Sequence, residues 1–430
     1  MSGRTVHVVG AGLAGLSAAV RLVEADLSVV VHEAAPAAGG RCRSHYDQSL
    51  GLVIDNGNHL LLSGNHAALD YLGRIGSLGS LHGPRSAVFD FADLRSGERW
   101  RLRPNEGRAP WWLLDRRRRA PGTALGEYFA PLAMLVAPAT ATVAQAMSCA
   151  GPLYERLWRP LLLAGLNTDP QEGSAALAAA ILRETLGAGG RACRPLIASR
   201  GLSPTFVDPA LAFLAARGAT VRFGERLRGI RFEGERAVDL DFEAGRQTLA
   251  RDEAVVIAVP PWAAQDLLPD LEAPDEFRAI VNAHFRKTPP RGQPMVLGVV
   301  NGLTEWLFAY PEHLSATISG ADRLIDRPRE ELATEIWREA AALSGLPPDL
   351  PPWRIVKERR ATFAATPAQN AKRPSSRTRW DNVALAGDWT RTGLPATIES
   401  AVRSGYKAAS IIVEMCATAP QARIATGVWP

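Results

Sequence analysis

The chain has 430 residues, 47% hydrophobic, 22% charged and 7% aromatic, with 49 Lys and Arg against 44 Asp and Glu for a net charge of +5. At about 100–200 residues per domain, this length predicts two or three domains with ample core, and the composition excludes disorder, collagen and a disulfide scaffold. The small positive excess does not announce a nucleic-acid binder, but it leaves room for attraction to an anionic membrane surface.

The first ten residues, MSGRTVHVVG, run straight into a strand pattern rather than a signal peptide. Thr5 to Val9 reads as a short β-branched strand, followed by the loop Gly10-Ala11-Gly12-Leu13-Ala14-Gly15. Leu16 to Ala25 is helical by its apolar spacing, and Val29 to Val31 forms a second strand ending at His32-Glu33. This βαβ unit implies a parallel sheet with a right-handed crossover.

Further on, Ala124 to Leu186 is rich in Ala and Leu and reads as mostly helical, interrupted by prolines. Within it, Tyr128 to Met147 carries no charge over 20 residues. Pro131, Pro138 and an Ala/Thr composition favour a buried or surface-lying helix pair over a membrane span. Leu211 to Arg217 reads as a helix, followed by strands at 220–223, 227–232, 238–242 and 255–259, the last stopping at Pro260-Pro261. Val383 to Gly387 is another strand, Thr397 to Met415 a closing helix, and the tail from Ala417 is expected to be loose. Cys42, Cys149, Cys193 and Cys416 form no C-x-x-C, so reduced cytosolic thiols are expected, and no metal site is.

The glycine loop carries chemistry. It follows a strand and opens a helix, and Glu33 lies 23 positions after Gly10, near the spacing of a ribose-binding carboxylate. Gly10 permits the tight turn, Gly12 lets a pyrophosphate approach the backbone, and Gly15 lets helix pack on strand. The helix N-terminus, with Leu13 and Ala14 in the loop before it, offers free N–H groups and a positive dipole end to phosphates.

The stretch Glu33-Ala34-Ala35-Pro36-Ala37-Ala38-Gly39-Gly40-Arg41-Cys42-Arg43-Ser44 resembles the E…GGR…S continuation of the FAD-dependent amine oxidase and phytoene desaturase superfamily. Asp55-Asn56-Gly57-Asn58-His59 is similar to its D-x-G turn, and Gly387-Asp388 with Thr397-Ile398-Glu399-Ser400-Ala401 to its closing flavin motif. The resemblance implies non-covalent FAD. Glu33 and Ala34 would meet the adenosine ribose, Gly40 and Arg41 the pyrophosphate, and Gly57, Asn58 and His59 the isoalloxazine ring. Asp388 would take ribityl or pyrophosphate oxygens, and the helix opening near Thr397 and Ile398 would face flavin N1/O2. Gly218 to Val221 with Leu227 and Ile230 is similar to the strand pair that lays a backbone amide against adenine, and Ala258 to Pro261 to an AVPP strand end.

The implied fold is α/β: a Rossmann-type FAD-binding domain interleaved with an α+β substrate domain. The flavin domain would comprise 1–85, 203–265 and 376–418. The substrate domain would comprise 86–202 and 266–375, with a helical membrane-contact region at 105–150 and a tail at 419–430.

The phrase Asp55 to Asn65 (DNGNHLLLSGN), together with Gly387-Asp388-Trp389-Thr390 and Leu157-Trp158-Arg159-Pro160-Leu161, narrows the resemblance to the bacterial squalene-associated FAD-dependent desaturases, or hydroxysqualene dehydroxylases. It runs from residue 4 to about 413. Asp26 departs from the superfamily, which usually has a turn glycine there. The family implies reduction of hydroxysqualene to squalene in hopanoid synthesis, with a hydrophobic isoprenoid as substrate. His59 either protonates the leaving hydroxyl or only hydrogen-bonds flavin or backbone, and Asp55 is a second candidate or simply fixes the turn.

A carotenoid-type desaturase, an amine oxidase and a flavin-bound scaffold without turnover are the alternatives. Gly187 to Gly190 lacks the spacing of a second dinucleotide loop, so the electron donor is unknown. Trp111 to Leu114 followed by Arg116 to Arg119 reads equally as a lipid-contact patch or as a solvated basic loop with its tryptophans packed inward. The first reading places a cytoplasmic protein peripherally on the inner membrane.

Overall fold

The computed structural model describes residues 4–418; the expected tail at 419–430 lies outside the described residues. Strand β1 (Thr5–Val9) leads into helix α1 (Leu13–Glu24) and strand β2 (Ser28–Glu33). Three more strands join them from far along the chain: β3 (Thr220–Phe223), β4 (Ala254–Ile257) and β5 (Val383–Leu385). The sheet order is β3-β2-β1-β4-β5, with every pairing parallel. Val6, Val8, Ala254 and Val256 cluster with helix α1 on one face of β1 and β4, while Val9, Val255 and Ile257 on the other cluster with Leu227, Ala237 and Leu240 of the strands at 227–242, so the parallel sheet is buried on both sides. The strand order reverses between β1 and β4, so the crevice at their carboxyl ends is where such sheets take ligands.

The closing helix α2 (Ile398–Thr418) packs against α1. Their backbones meet at Gly405, where a Cβ would lie 2.1 Å from Ser17 Oγ and 2.2 Å from the Ala14 carbonyl oxygen. Only glycine permits that approach.

A seven-stranded sheet forms the second layer, in the order 353–363, 277–285, 314–318, 306–309, 296–300, 89–93, 99–102. It is antiparallel except where Val296–Val300 runs parallel to Phe89–Asp93. One face packs on helix Arg329–Ser344 through Leu332, Ile336 and Trp337. The opposite face carries buried Asn282, His284, Ser315 and Thr317. Strand Pro195–Ala198, on the substrate side of the boundary expected at 203, pairs with Leu61–Leu62 and Leu81–His82.

The Ala/Leu-rich stretch breaks into short pieces: a 3-10 helix at Gly126–Leu135, α-turns at Val143–Ala146, a π-turn at Tyr154–Trp158 running into Arg159–Leu166, and Ala175–Glu184. Among the described residues no helix is long and apolar enough to cross a membrane. All four cysteines are free, and burial pushes the Cys42 thiol well up and that of Cys193 to about 12. Asp26 holds the left-handed conformation at φ 58°, so the aspartate adopts the backbone that a glycine would favour.

Candidate active site

At the carboxyl end of β1, Gly10 has φ +105°, and a Cβ there would sit 2.5 Å from the Ala258 carbonyl oxygen. Gly12 caps α1 without any side-chain hydrogen bond, and among the described residues beyond its chain neighbours nothing lies within 4 Å of the point where its Cβ would be. The first-turn amides therefore open onto free space, an arrangement suited to phosphate. Glu33 ends β2 and accepts from Ala11 N and Ala35 N, both at 2.8 Å, one on each carboxylate oxygen. A carboxylate has about four lone-pair sites, so acceptor capacity remains for ribose hydroxyls. Leu227 is buried at the start of a separate antiparallel sheet of strands 227–233, 236–242 and 245–248.

Arg41 and Asp388 meet. One guanidinium nitrogen donates to both carboxylate oxygens, at 2.7 and 2.6 Å, and another donates to the Ala361 carbonyl. Burial opposes the charge on Arg41, but Asp388 holds its pKa above the ordinary value. Even so, 46% of the Arg41 side chain is accessible, which leaves part of it open to a ligand.

Beneath this pair lies Arg373, 1% exposed, which sequence reasoning missed. It donates to the Asp388 and Thr390 carbonyls and to Thr392 Oγ1, bracing the Gly387 to Thr392 loop from behind. Burial lowers its pKa to about 10, against the opposing pull of Asp388. No motif marks it, because only folding places it under the loop.

At the head of α2, Ser400 N donates to Thr397 Oγ1 at 3.1 Å, and Ala401 N to the Thr397 carbonyl. Thr397 is thus an N-cap, and the Ile398 end of the helix keeps its positive dipole pole. Glu399 turns away and accepts from Ala67 N, Ala68 N and Arg403, tying α2 to helix His66–Arg74.

The Asp55 to His59 turn divides its residues by role. Asp55 is buried and accepts from Ser44 Oγ at 2.6 Å and Leu202 N at 2.8 Å, which joins three distant backbones. Burial raises its pKa to about 6 against those hydrogen bonds. Gly57 lies against Asn282, which would sit 3.1 Å from a Cβ at that position. Asn58 donates to Ser315 Oγ at 2.7 Å and Thr317 Oγ1 at 2.9 Å, and accepts from Tyr310 OH at 3.2 Å. Burial, with Arg41 second, lowers His59 to about 4, so the imidazole is neutral near pH 7.

The polar floor under this turn was also missed. Its signal was present: Asn282 and His284 alternate in the otherwise apolar run 279–285 of strand Phe277–Phe285, which puts both on one face. Glu305 immediately precedes strand Trp306–Ala309 of the same sheet. Its backbone N donates to the Thr317 carbonyl, and its carboxylate accepts from Ser319 N at 2.8 Å. Burial raises its pKa to about 7, against that bond and the charges of Arg159 and Arg323.

The model of the flavin containing amine oxidoreductase family matches residues 13–288 and 302–413. A hydroxysqualene dehydroxylase of Rhodopseudomonas palustris is 58% identical over 412 residues, covering 95% of this chain and 98% of the relative. The chain belongs to the hydroxysqualene dehydroxylase family of flavin-containing amine oxidoreductases.

Two more dehydroxylases of this family, from Sinorhizobium fredii and Zymomonas mobilis, are 54% and 45% identical over 95% and 94% of the chain and 98% of each relative. The fold is shared more widely. Cyclohexylamine oxidase from Brevibacterium oxydans superposes with a TM-score of 0.69 at 17% identity, and putrescine oxidase with 0.65 at 18%, each over 96% of this chain and 99% of its own. As a member of this family the protein is an FAD-dependent oxidoreductase. The site suits that cofactor: a helix start with open space at Gly12, a carboxylate with lone pairs to spare, and an accessible arginine held by Asp388.

Proposed function

We propose that the protein reduces hydroxysqualene to squalene, the reading that the family's implied activity and the 45–58% identity to three named dehydroxylases favour over a carotenoid-type desaturase or an amine oxidase. Replacing an allylic hydroxyl by hydrogen breaks one C–O bond and forms one C–H bond. The hydroxyl needs a proton to leave as water, and the carbon needs a hydride. When bound, reduced FAD supplies the hydride.

The remaining work falls to the chain. Gly10 to Gly15, Glu33, Ala34, Gly40, Arg41, Leu227, Asp388, Thr397 and Ile398 are assigned to holding the cofactor. Residues 1–85, 203–265 and 376–418 serve as the cofactor domain, and 86–202 and 266–375 as the substrate domain. Gly57 and Asn58 present a fixed backbone, because Asn58 is held by Ser315, Thr317 and Tyr310. Asp55 fixes that turn through Ser44 and Leu202. His59, neutral near pH 7, hydrogen-bonds rather than stores a proton. Glu305, whose carboxylate is held by Ser319 N, is a candidate proton source, since a carboxyl titrating near 7 is protonated in about half the molecules at neutral pH. The observation that carries this reading is the polar floor of Asn58, Ser315 and Thr317 at the cofactor turn. The enzyme's place is the cytoplasm, peripheral on the inner membrane.

The deciding experiment incubates FAD-loaded, pre-reduced protein anaerobically with hydroxysqualene and follows flavin absorbance and squalene together. Squalene formed in step with flavin reoxidation is expected. Absence of both defeats the reading, and desaturation of a polyene by the oxidised form supports the carotenoid-type alternative.

A further inference from the structure

Residues 111–136 carry an apolar surface for which the flavin site has no use. Of the twelve large hydrophobic side chains exposed on the described residues, seven lie in this segment. The 3-10 helix Gly126–Leu135 sorts them by its period. With three residues per turn, side chains at i and i+3 eclipse. Tyr128, Pro131 and Met134 form the buried edge, while Phe129, Leu132 and Leu135 form an exposed ridge, Leu132 at 55%. An amphipathic helix in water presents polar groups outward; this one presents Phe and Leu, and Val136 beyond it is 86% exposed.

The basic segment is attached to that ridge. Trp112 is buried and meets Tyr128 edge-on, ring centroids 5.6 Å apart, and Ala120 N donates to Tyr128 OH at 2.9 Å. Its neighbour Trp111 is 69% exposed, with Leu114 beside it. The two tryptophans that the sequence left as a pair thus divide, one anchoring the segment and one facing outward. Arg116 to Arg119 follow, and among the described residues none of the four pairs with a carboxylate. Arg118 donates to the Arg103 carbonyl. A groove of about 820 Å³ runs under them, lined by Arg103, Arg117 and Arg118 together with Asn105, Glu106 and Asp115. The acidic neighbours Glu106, Asp115 and Glu127 are outnumbered by the arginines, so the surface is net positive.

We propose that this surface docks the enzyme on an anionic phospholipid bilayer, with Trp111, Phe129, Leu132 and Leu135 entering the headgroup boundary and Arg116 to Arg119 meeting lipid phosphates. Contiguous exposed apolar surface rimmed by unpaired cations is what an interfacial segment requires, and an aromatic with an N–H handle sits well at the headgroup level. A second copy of the chain fits less well, because two such surfaces would bring eight arginines together without counter-charges. The proposal is independent of the substrate, and its readout needs no turnover.

The test is flotation of the FAD-loaded protein with phosphatidylcholine vesicles, with and without about one-third phosphatidylglycerol. Co-flotation with the anionic vesicles is expected, weakening at high salt. Changing Arg116 to Arg119 to serine is expected to weaken partitioning at least about tenfold, and Leu132→Asp with Leu135→Asp to abolish it, each variant keeping its bound-flavin spectrum. Trp111→Ser, a change at an exposed side chain, is expected to weaken binding as well and serves if the double aspartate variant misfolds. Failure of the wild-type protein to float at low salt overturns the proposal. So does binding that all three variants leave unchanged, or a wild-type dimer that the aspartates split while vesicles are ignored.

Discussion

Arg41 and Asp388, 347 positions apart, close a two-contact ion pair at 2.7 and 2.6 Å at the mouth of the cofactor crevice. Both residues are proposed to hold the cofactor's phosphate and ribityl oxygens, and the fold sets them against each other. Each fixes the other's rotamer, so the cationic site is held in place by its own counter-ion. Arg41→Met is expected to raise the dissociation constant for FAD about 10–100-fold, as loss of a charged hydrogen-bonding group does. Asp388→Asn is expected to act in the same direction, and the double variant to show less than the sum. Flavin fluorescence titration of the four proteins gives the coupling, and strict additivity would show the two acting independently.

Arg373 carries the loop from below. Arg373→Met removes donors from the Asp388 and Thr390 carbonyls and from Thr392 Oγ1, leaving buried acceptors unpaired. A loss of about 3 kcal/mol in unfolding free energy is expected, with recovery of only part of it by Arg373→Lys, whose single nitrogen cannot reach all three. Urea denaturation measures both.

Three imidazoles, His284 buried and His59 and His313 half-buried, make the protein acid-sensitive. Burial lowers His59 and His313 to about 4 and His284 to about 3. Each binds its proton more readily when unfolded, so its stability is full above pH 6.5 and drains as pH falls toward the folded value. Asp55, pushed up to about 6, and Glu305, to about 7, run the other way: their contributions are full at low pH and lost as pH rises through those values. His284→Asn is therefore expected to lose about 3 kcal/mol less than the parent between pH 7 and pH 4. Melting temperatures across that range decide it, and parallel curves would refute the assignment.

Glu305 titrates where a proton donor is useful. An acid of that kind works protonated, so turnover is expected to fall as pH rises through about 7. Glu305→Gln is expected to reduce single-turnover squalene formation about 100-fold or more and to flatten that limb. A variant with the parent's rate and pH profile would remove Glu305 from the chemistry while leaving the dehydroxylase reading intact.

Asp26 sits at φ 58°, where a Cβ is crowded. Asp26→Gly relieves that crowding but loosens the unfolded chain, and a net gain of about 0.5–1 kcal/mol in thermal unfolding is expected.

The sequence by itself determined the βαβ start, its glycine turn and the place of Glu33 at the end of the second strand, because a strand, a tight turn and an open helix end must follow one another at short, regular spacing. The turn at Asp55 to His59 and the flavin motif at Gly387 to Ile398 were legible as phrases for the same local reason. The broken helices of 126–166 were not, since Pro131 and the π-turn at Tyr154–Trp158 depend on what packs against them. Nor were the roles of Arg373, Glu305, Ser315 and Thr317. Strands from residues 277 to 318 had to pair before their polar side chains faced Asn58, and no local pattern encodes which distant groups will share one low-dielectric site. Tertiary structure also decided which of two adjacent tryptophans is buried. A 3-10 turn sends neighbours in different directions, and only the presence of Tyr128 beside Trp112 leaves Trp111 facing out.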